Sequence, residues 1–193
     1  MRTREILYCG HPVLRRKAKS IQDVDDALLE LVQDMTHTMI EAPGVGLAAP
    51  QVGESVRLIV VRADDDEDSE VHALLNPRII SRQGKDTAVE GCLSLPTLWG
   101  EVTRAARVVA EGTTPDGRSV QIEAEDLLAR ALQHEIDHLE GILFLDRADR
   151  DSLAWRVPDE KEEDGYRLDP TTAEEVSERF KRLHKQREER GRG

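Results

Sequence analysis

Apolar residues recur at helical spacing along residues 24–40, where Val24, Leu28, Leu31, Val32, Met35 and Met39 fall on one face. That pattern predicts an amphipathic helix, ended by Pro43-Gly44. Residues 57–62 form a short run of Leu, Ile and Val and predict a strand. Residues 73–80 predict a second strand, interrupted at Asn76-Pro77, where proline marks a sheet edge or bend. Residues 102–110 and 119–124 bracket Thr114-Pro115-Asp116-Gly117, a strong turn signal, and predict a hairpin. The helical period returns over residues 126–140. Leu128, Ala131, Leu132 and Leu139 are available for its buried side, Asp126 is placed to cap its start, and Gly141 ends it. From residue 149 the pattern gives way to charge. Residues 158–169 are polar and read as loosely ordered, and residues 172–191 predict a charged helix with few apolar positions. There is no internal repeat.

The second helix carries His134-Glu135-Ile136-Asp137-His138. Two histidines four apart project from the same face, where their ring nitrogens can hold one transition-metal ion. Glu135 beside them can accept a proton from water at that ion. A catalytic site of this kind takes three protein ligands and keeps one position open, so the third ligand decides the reading. One class of metal helix takes it from a histidine six residues further on, but Phe144 stands there and cannot coordinate. A downstream glutamate is a second source. Glu160, Glu162, Glu163, Glu174 and Glu175 are present, but in a charged, poorly patterned region. Upstream, Glu90-Gly91-Cys92-Leu93-Ser94-Leu95-Pro96 sets a cysteine among small and apolar residues. Its thiolate is a good ligand; the bland alternative is an inert buried thiol. Strands surrounding a helix that bears the chemistry give an α+β fold, with antiparallel sheets around a central metal-bearing helix, a first N-terminal helix and a C-terminal helical extension. The expected division is a catalytic domain over residues 1–148 and a charged extension over residues 149–193, partly helical or disordered.

Composition narrows the field. A chain of 193 residues with 38% hydrophobic content can bury a core, but with only 3% aromatics the packing falls to Leu, Ile, Val and Ala. A formal net charge of -12 argues against a general nucleic-acid binder and against specific DNA binding. No stretch approaches the roughly 18 apolar residues of a membrane span. The charged start, Met1-Arg2-Thr3-Arg4-Glu5, lacks the apolar stretch of a signal peptide, so cytoplasmic residence is expected. In that compartment Cys9 and Cys92 are expected as free thiols. The acidic block at residues 64–68 reads as a solvated loop.

Three segments in order carry a resemblance: Gly44-Val45-Gly46-Leu47-Ala48-Ala49-Pro50-Gln51, Glu90-Gly91-Cys92-Leu93-Ser94 and Gln133-His134-Glu135-Ile136-Asp137-His138. With Gly10-His11-Pro12-Val13-Leu14-Arg15 before them, the chain resembles the peptide deformylase family from Ile6 to about Asp146. The resemblance implies removal of the N-formyl group from the formyl-methionine of new polypeptides, with release of formate. It assigns Cys92, His134 and His138 to the metal, Glu135 to proton transfer, and the Gln51 side chain and Leu93 backbone amide to the oxyanion. Fe(II) is implied as the native ion, although the ligand set also accepts Zn(II), Ni(II) or Co(II).

Gly44 and Gly46 allow a peptide backbone to approach for strand-like pairing, or form a plain turn. Val45, Leu47 and Leu93, with Ala131, are candidates to line a pocket for the methionine side chain. Arg104 is a candidate near the outer substrate chain. Asp137 reads as a salt-bridging residue and Gln133 as an indirect orienter. His11, His37, His72 and His184 read as ordinary polar residues. Many family members have Pro followed by Gly after the second motif; here Pro96-Thr97-Leu98-Trp99-Gly100 stands instead. The basic run Lys181-Arg182-Leu183-His184-Lys185-Gln186-Arg187 suggests transient ribosome contact, or a solvated terminal helix.

Overall fold

The structure, a computed structural model, describes residues 1–63, 69–162 and 165–190, without the side chains of residues 185 and 187–190. The acidic block at residues 64–68 lies outside the described residues. The first helix, α1, spans Asp26–Glu41. It starts two residues later than the apolar period suggests because Asp25 caps it, accepting from the Leu28 amide at 2.8 Å. Leu28, Leu31, Met35 and Met39 turn inward. Full burial of such a side chain contributes roughly 1.5–3 kcal/mol.

Five strands form one antiparallel sheet in the order β1 (Gly46–Ala48), β2 (Leu58–Arg62), β3 (Val71–Gln83), β6 (Arg107–Thr113), β7 (Ser119–Glu125). All five residues of β2 are buried, so both of its faces are covered. Leu58 and Val60 pack with Met35 and Met39 of α1. Ile59 and Val61 point the other way, into the cluster that holds Leu132 and Leu139 of the second helix. On β3 the register shifts between Leu75 and Arg78 at the Asn76-Pro77 interruption, and Asn76 adopts φ +51°. Its side-chain amide ties Ile21 at both backbone atoms, at 2.9 and 2.8 Å.

A second antiparallel sheet has the order β4 (Asp86–Cys92), β5 (Leu95–Arg104), β8 (Ala154–Pro158), β9 (Tyr166–Pro170). The single strand expected over residues 102–110 is divided here. β5 ends at Arg104 and β6 begins at Arg107, so Ala105-Ala106 carries the chain from one sheet to the other. The segment read as loosely ordered contains the end of β8 and most of β9, in register from Ala154↔Pro170 to Pro158↔Tyr166. The charged C-terminal helix, α3 (Ala173–Arg190), docks with two fully buried side chains, Val176 and Phe180, in a cluster with Leu14, Leu95 and Leu98. The fold is therefore α+β, built from two antiparallel sheets and three α-helices among the described residues. Among those residues no helix is long and apolar enough to cross a membrane.

Candidate metal centre

The second helix, α2 (Asp126–Leu139), runs through the middle of the molecule, and residues 129–135 are buried without a break. Its start differs from expectation. Glu125 occupies the cap position without a side-chain bond, while Asp126 is the first helical residue, at φ +52°. Gly141 closes the other end at φ +76°, where an added Cβ would fall 2.8 Å from the Arg15 carbonyl carbon. His134 and His138 lie one turn apart, their ring centroids separated by 5.1 Å. Cys92 arrives from the end of β4, at the tight turn into β5, where it pairs with Leu95. Donor atoms of Cys92, His134 and His138 all lie within 4.8 Å of one another, with Cys92 Sγ 3.3 Å from His138 Nε2. One sulfur and two imidazoles, drawn from two elements, make a donor set suited to a divalent transition metal with an open position.

A buried carboxylate sits behind this group. His134 Nδ1 lies 3.0 Å from Glu90 Oε2, which directs the other ring nitrogen toward the cysteine. Glu90 also accepts from Arg104 at 2.5 and 2.9 Å and from Arg130 at 2.6 Å. Burial pushes the Glu90 carboxyl up, but hydrogen bonds from His134 and Arg104 outweigh it and hold the group at about 2. Arg104, expected near the outer substrate chain, does not line the cleft described below. It is 7% exposed and bridges Glu90 to Asp137, at 2.9 Å. Asp137 pairs with Arg104 and with Arg147. Gln133 grips both backbone groups of Ala105, at 3.1 and 3.0 Å, and so fixes α2 against the chain's passage between sheets.

Burial pushes the Glu135 carboxyl up to about 7, against the lowering effect of the His134 and Arg104 cations. Its Oε2 is buried with no hydrogen-bond partner among the described residues, and the same holds for His138 Nδ1. An orphaned carboxylate oxygen next to a cluster of metal-type donors is an acceptor suited to a water or substrate proton. Burial and nearby cations hold His138 well below the ordinary histidine value. Burial would lower His134 too, but bonds to Cys92 and Glu90 carry it the other way.

Gln51 belongs to a 3-10 turn over Ala49–Val52 that follows β1. Its Oε1 accepts from the Ala48 amide at 2.8 Å, which turns Nε2 toward Ser94 Oγ at 3.3 Å and Cys92 Sγ at 3.6 Å. Buried Arg62 donates to the Gly44 carbonyl at 2.9 and 3.1 Å and holds the approach to β1. A cleft of about 740 Å³ opens over these groups. Gly44, Val45, Gly46, Leu93 and Ala131 line it, as do Tyr8, Val89, Trp99 and Leu127, whose place only the folded chain reveals. Leu47 does not line it. Strand alternation turns Leu47 into the core, fully buried beside Met35, Leu58 and Val60. β1 forms the edge of its sheet along this cleft.

The chain matches the family model described as polypeptide deformylase over residues 3–153. It is 54% identical over 137 residues to a peptide deformylase of Syntrophobacter fumaroxidans, covering 70% of this chain and 81% of that one. A peptide deformylase of Thermomicrobium roseum is 45% identical over 168 residues, covering 84% of this chain and 96% of the relative. Among solved structures, a peptide deformylase from Thermotoga maritima superposes with a TM-score of 0.73 at 37% identity, covering 77% of this chain and 99% of that chain. One from Synechococcus elongatus in complex with actinonin gives 0.72 at 41% identity, covering 75% and 80%. The match takes in Cys92, His134, His138, Glu135 and Gln51, and on that ground the chain belongs to the polypeptide deformylase family.

Proposed function

We propose that this chain removes the N-formyl group from the N-terminal formyl-methionine of newly made polypeptides, releasing formate and a free amino terminus. One observation carries the reading: a thiol and two imidazoles converge beside Glu135, whose buried Oε2 has no partner among the described residues. In this reading Cys92, His134 and His138 hold one divalent ion. When bound, such an ion supplies Lewis acidity that brings the pKa of water toward neutrality and polarises a carbonyl.

The chain's own groups do the rest. Glu135 takes the proton of the attacking water at Oε2 and delivers it to the nitrogen that leaves as the amine. A carboxyl raised toward neutral pH suits both halves of that task. Gln51 Nε2 and the Leu93 amide donate to the oxygen of the formyl group as it gains charge; the anchored Oε1 of Gln51 supports that orientation. Val45, Leu93 and Ala131 take the methionine side chain, and the Gly44-Val45 stretch that leads into edge strand β1, with Gly46 at its start, pairs with the peptide backbone. Glu90 holds His134, and Arg104 and Arg130 hold Glu90.

The donor set accepts Fe(II), Zn(II), Ni(II) or Co(II), and it is the likeness to the family, not the ligands, that favours Fe(II) as the resident ion. Iron and the Cys92 thiolate both make the enzyme oxygen-sensitive. The enzyme works in the cytoplasm, where its substrates are made. A transient ribosome contact through α3 draws support from exposed Lys181 and Arg182; Lys185 and Arg187 lie outside the described side chains. The decisive experiment is anaerobic purification, metal analysis and an assay for formate from a formyl-Met peptide. Glu135→Ala keeps its metal and loses turnover by roughly three or more orders of magnitude. Cys92→Ala loses metal, and normal metal content in that variant overturns the ligand assignment.

A further inference from the structure

Trp99 lines the cleft and sits in β5 opposite Gly91 on one side and Ala154 of β8 on the other. Arg156, two residues beyond Ala154, points to the same face of the sheet. Its guanidinium lies 5.4 Å from the centre of the Trp99 ring and 4.0 Å from that of Tyr166 on β9. Arg156 has no carboxylate partner among the described residues, unlike its neighbour Arg167, which pairs with Asp159 and Asp169. Leu168 stands directly opposite Arg156 and is 64% exposed; Tyr166 is 40% exposed and cleft-lining Val89 55%. The cleft wall therefore continues, through Trp99, onto a face of apolar and aromatic side chains with one cation that has no carboxylate partner among the described residues. The family match ends at residue 153, before this hairpin begins.

Stacking alone would tie β9 to β5, but it does not account for a cation beside the cleft of a strongly acidic chain with no carboxylate partner among the described residues. Held between two rings, the guanidinium loses little freedom when it meets an anion. We propose that the outward face of β8 and β9 is an outer subsite of the cleft. It receives the substrate chain downstream of formyl-methionine, and Arg156 there favours acidic side chains. The inference rests on the deformylase reading.

The test compares kcat/KM of the metal-loaded full chain on formyl-Met-Ala, formyl-Met-Ala-Glu-Glu-Ala and formyl-Met-Ala-Lys-Lys-Ala. The Glu peptide is expected to exceed the Lys peptide by about threefold at low salt, the scale of an exposed ion pair. The ratio should fall toward one in about 1 M salt, where charges are screened within roughly 3 Å. Arg156→Gln should remove the preference and Arg156→Lys restore part of it; a structural role alone would move all three peptides together. Equal rates on the two long peptides, or a ratio unchanged in Arg156→Gln, overturn the subsite. The salt dependence of the parent enzyme decides the matter even if the variants fold poorly. No formate from formyl-Met-Ala overturns the deformylase reading instead, and the subsite with it.

Discussion

A Cβ added to Gly46 would fall 2.5 Å from Oε1 of Glu135 and 2.8 Å from its Cγ. The glycine of the first motif thus makes room for the carboxylate of the third. Gly46→Ala forces Glu135 to shift or swing away, and small misplacements of a proton-transfer group are costly. The expected result is a fall in kcat of about a hundredfold with metal content unchanged. Steady-state kinetics with metal analysis of the same sample checks it. An unchanged kcat would mean that the carboxylate relocates without loss.

Glu90 is the hub of the buried charges: it faces His134, Arg104 and Arg130 together. Glu90→Ala leaves two buried guanidinium groups short of a counter-charge, so we expect a loss of about 3–5 kcal/mol in folding stability. Denaturant unfolding of the metal-free protein measures this without interference from the ion. Glu90→Gln keeps the shape and weakens the acceptor for His134, and metal affinity should drop about 10- to 100-fold. Equal metal affinity in that variant would show that His134 needs no orientation from behind.

How much of this was legible in the sequence follows from how local each feature is. His134 and His138 sit one helical turn apart, so spacing alone brings them together. Glu90 does not announce itself, because its partners lie 14, 40 and 44 positions away, and a buried carboxylate is spelled like an exposed one. Arg104 looks like a surface cation for the same reason. Leu47 looks like a pocket residue because it stands in a glycine-rich motif, yet a period of two turns it inward while its neighbour Gly46 meets Glu135. At the C-terminus the helix is legible but its docking is not, because α3 is anchored mainly by Val176 and Phe180, one turn apart, and β9 is missed because it is held by backbone pairing and ring–cation contacts.

Thr97 follows Pro96 after the second motif and adopts φ +64°, in the left-handed region that favours glycine. A β-branched residue in the left-handed region costs roughly 1–2 kcal/mol, part of which glycine returns as lost backbone entropy. Thr97→Gly should stabilise the protein by about 0.5–1 kcal/mol. Thr97→Ala, which keeps a Cβ, should gain less. Thermal melts of the three proteins at one metal loading decide it, and a lower melting temperature for the glycine variant would mean that the threonine side chain holds the turn.

Asp34 anchors the N-terminal arm from α1. It accepts from the Arg2 amide at 2.9 Å and from the Arg2 and Arg4 side chains at 3.1 and 3.0 Å. The backbone bond from Arg2 is the largest influence; with the two guanidinium groups it overcomes burial and holds the carboxyl at about 2, below its ordinary 3.8. Because the folded value is the lower one, the unfolded chain binds the proton first as pH falls. The stabilisation is therefore complete above pH ~4 and drains away between about 4 and 2. Asp34→Asn should lower the melting temperature at neutral pH, and the gap between variant and parent should close across that acid window. Melting curves at stepped pH test this on metal-free samples, so that loss of the ion does not mask it. A gap that persists below pH ~2 would place the arm's anchorage in shape rather than charge.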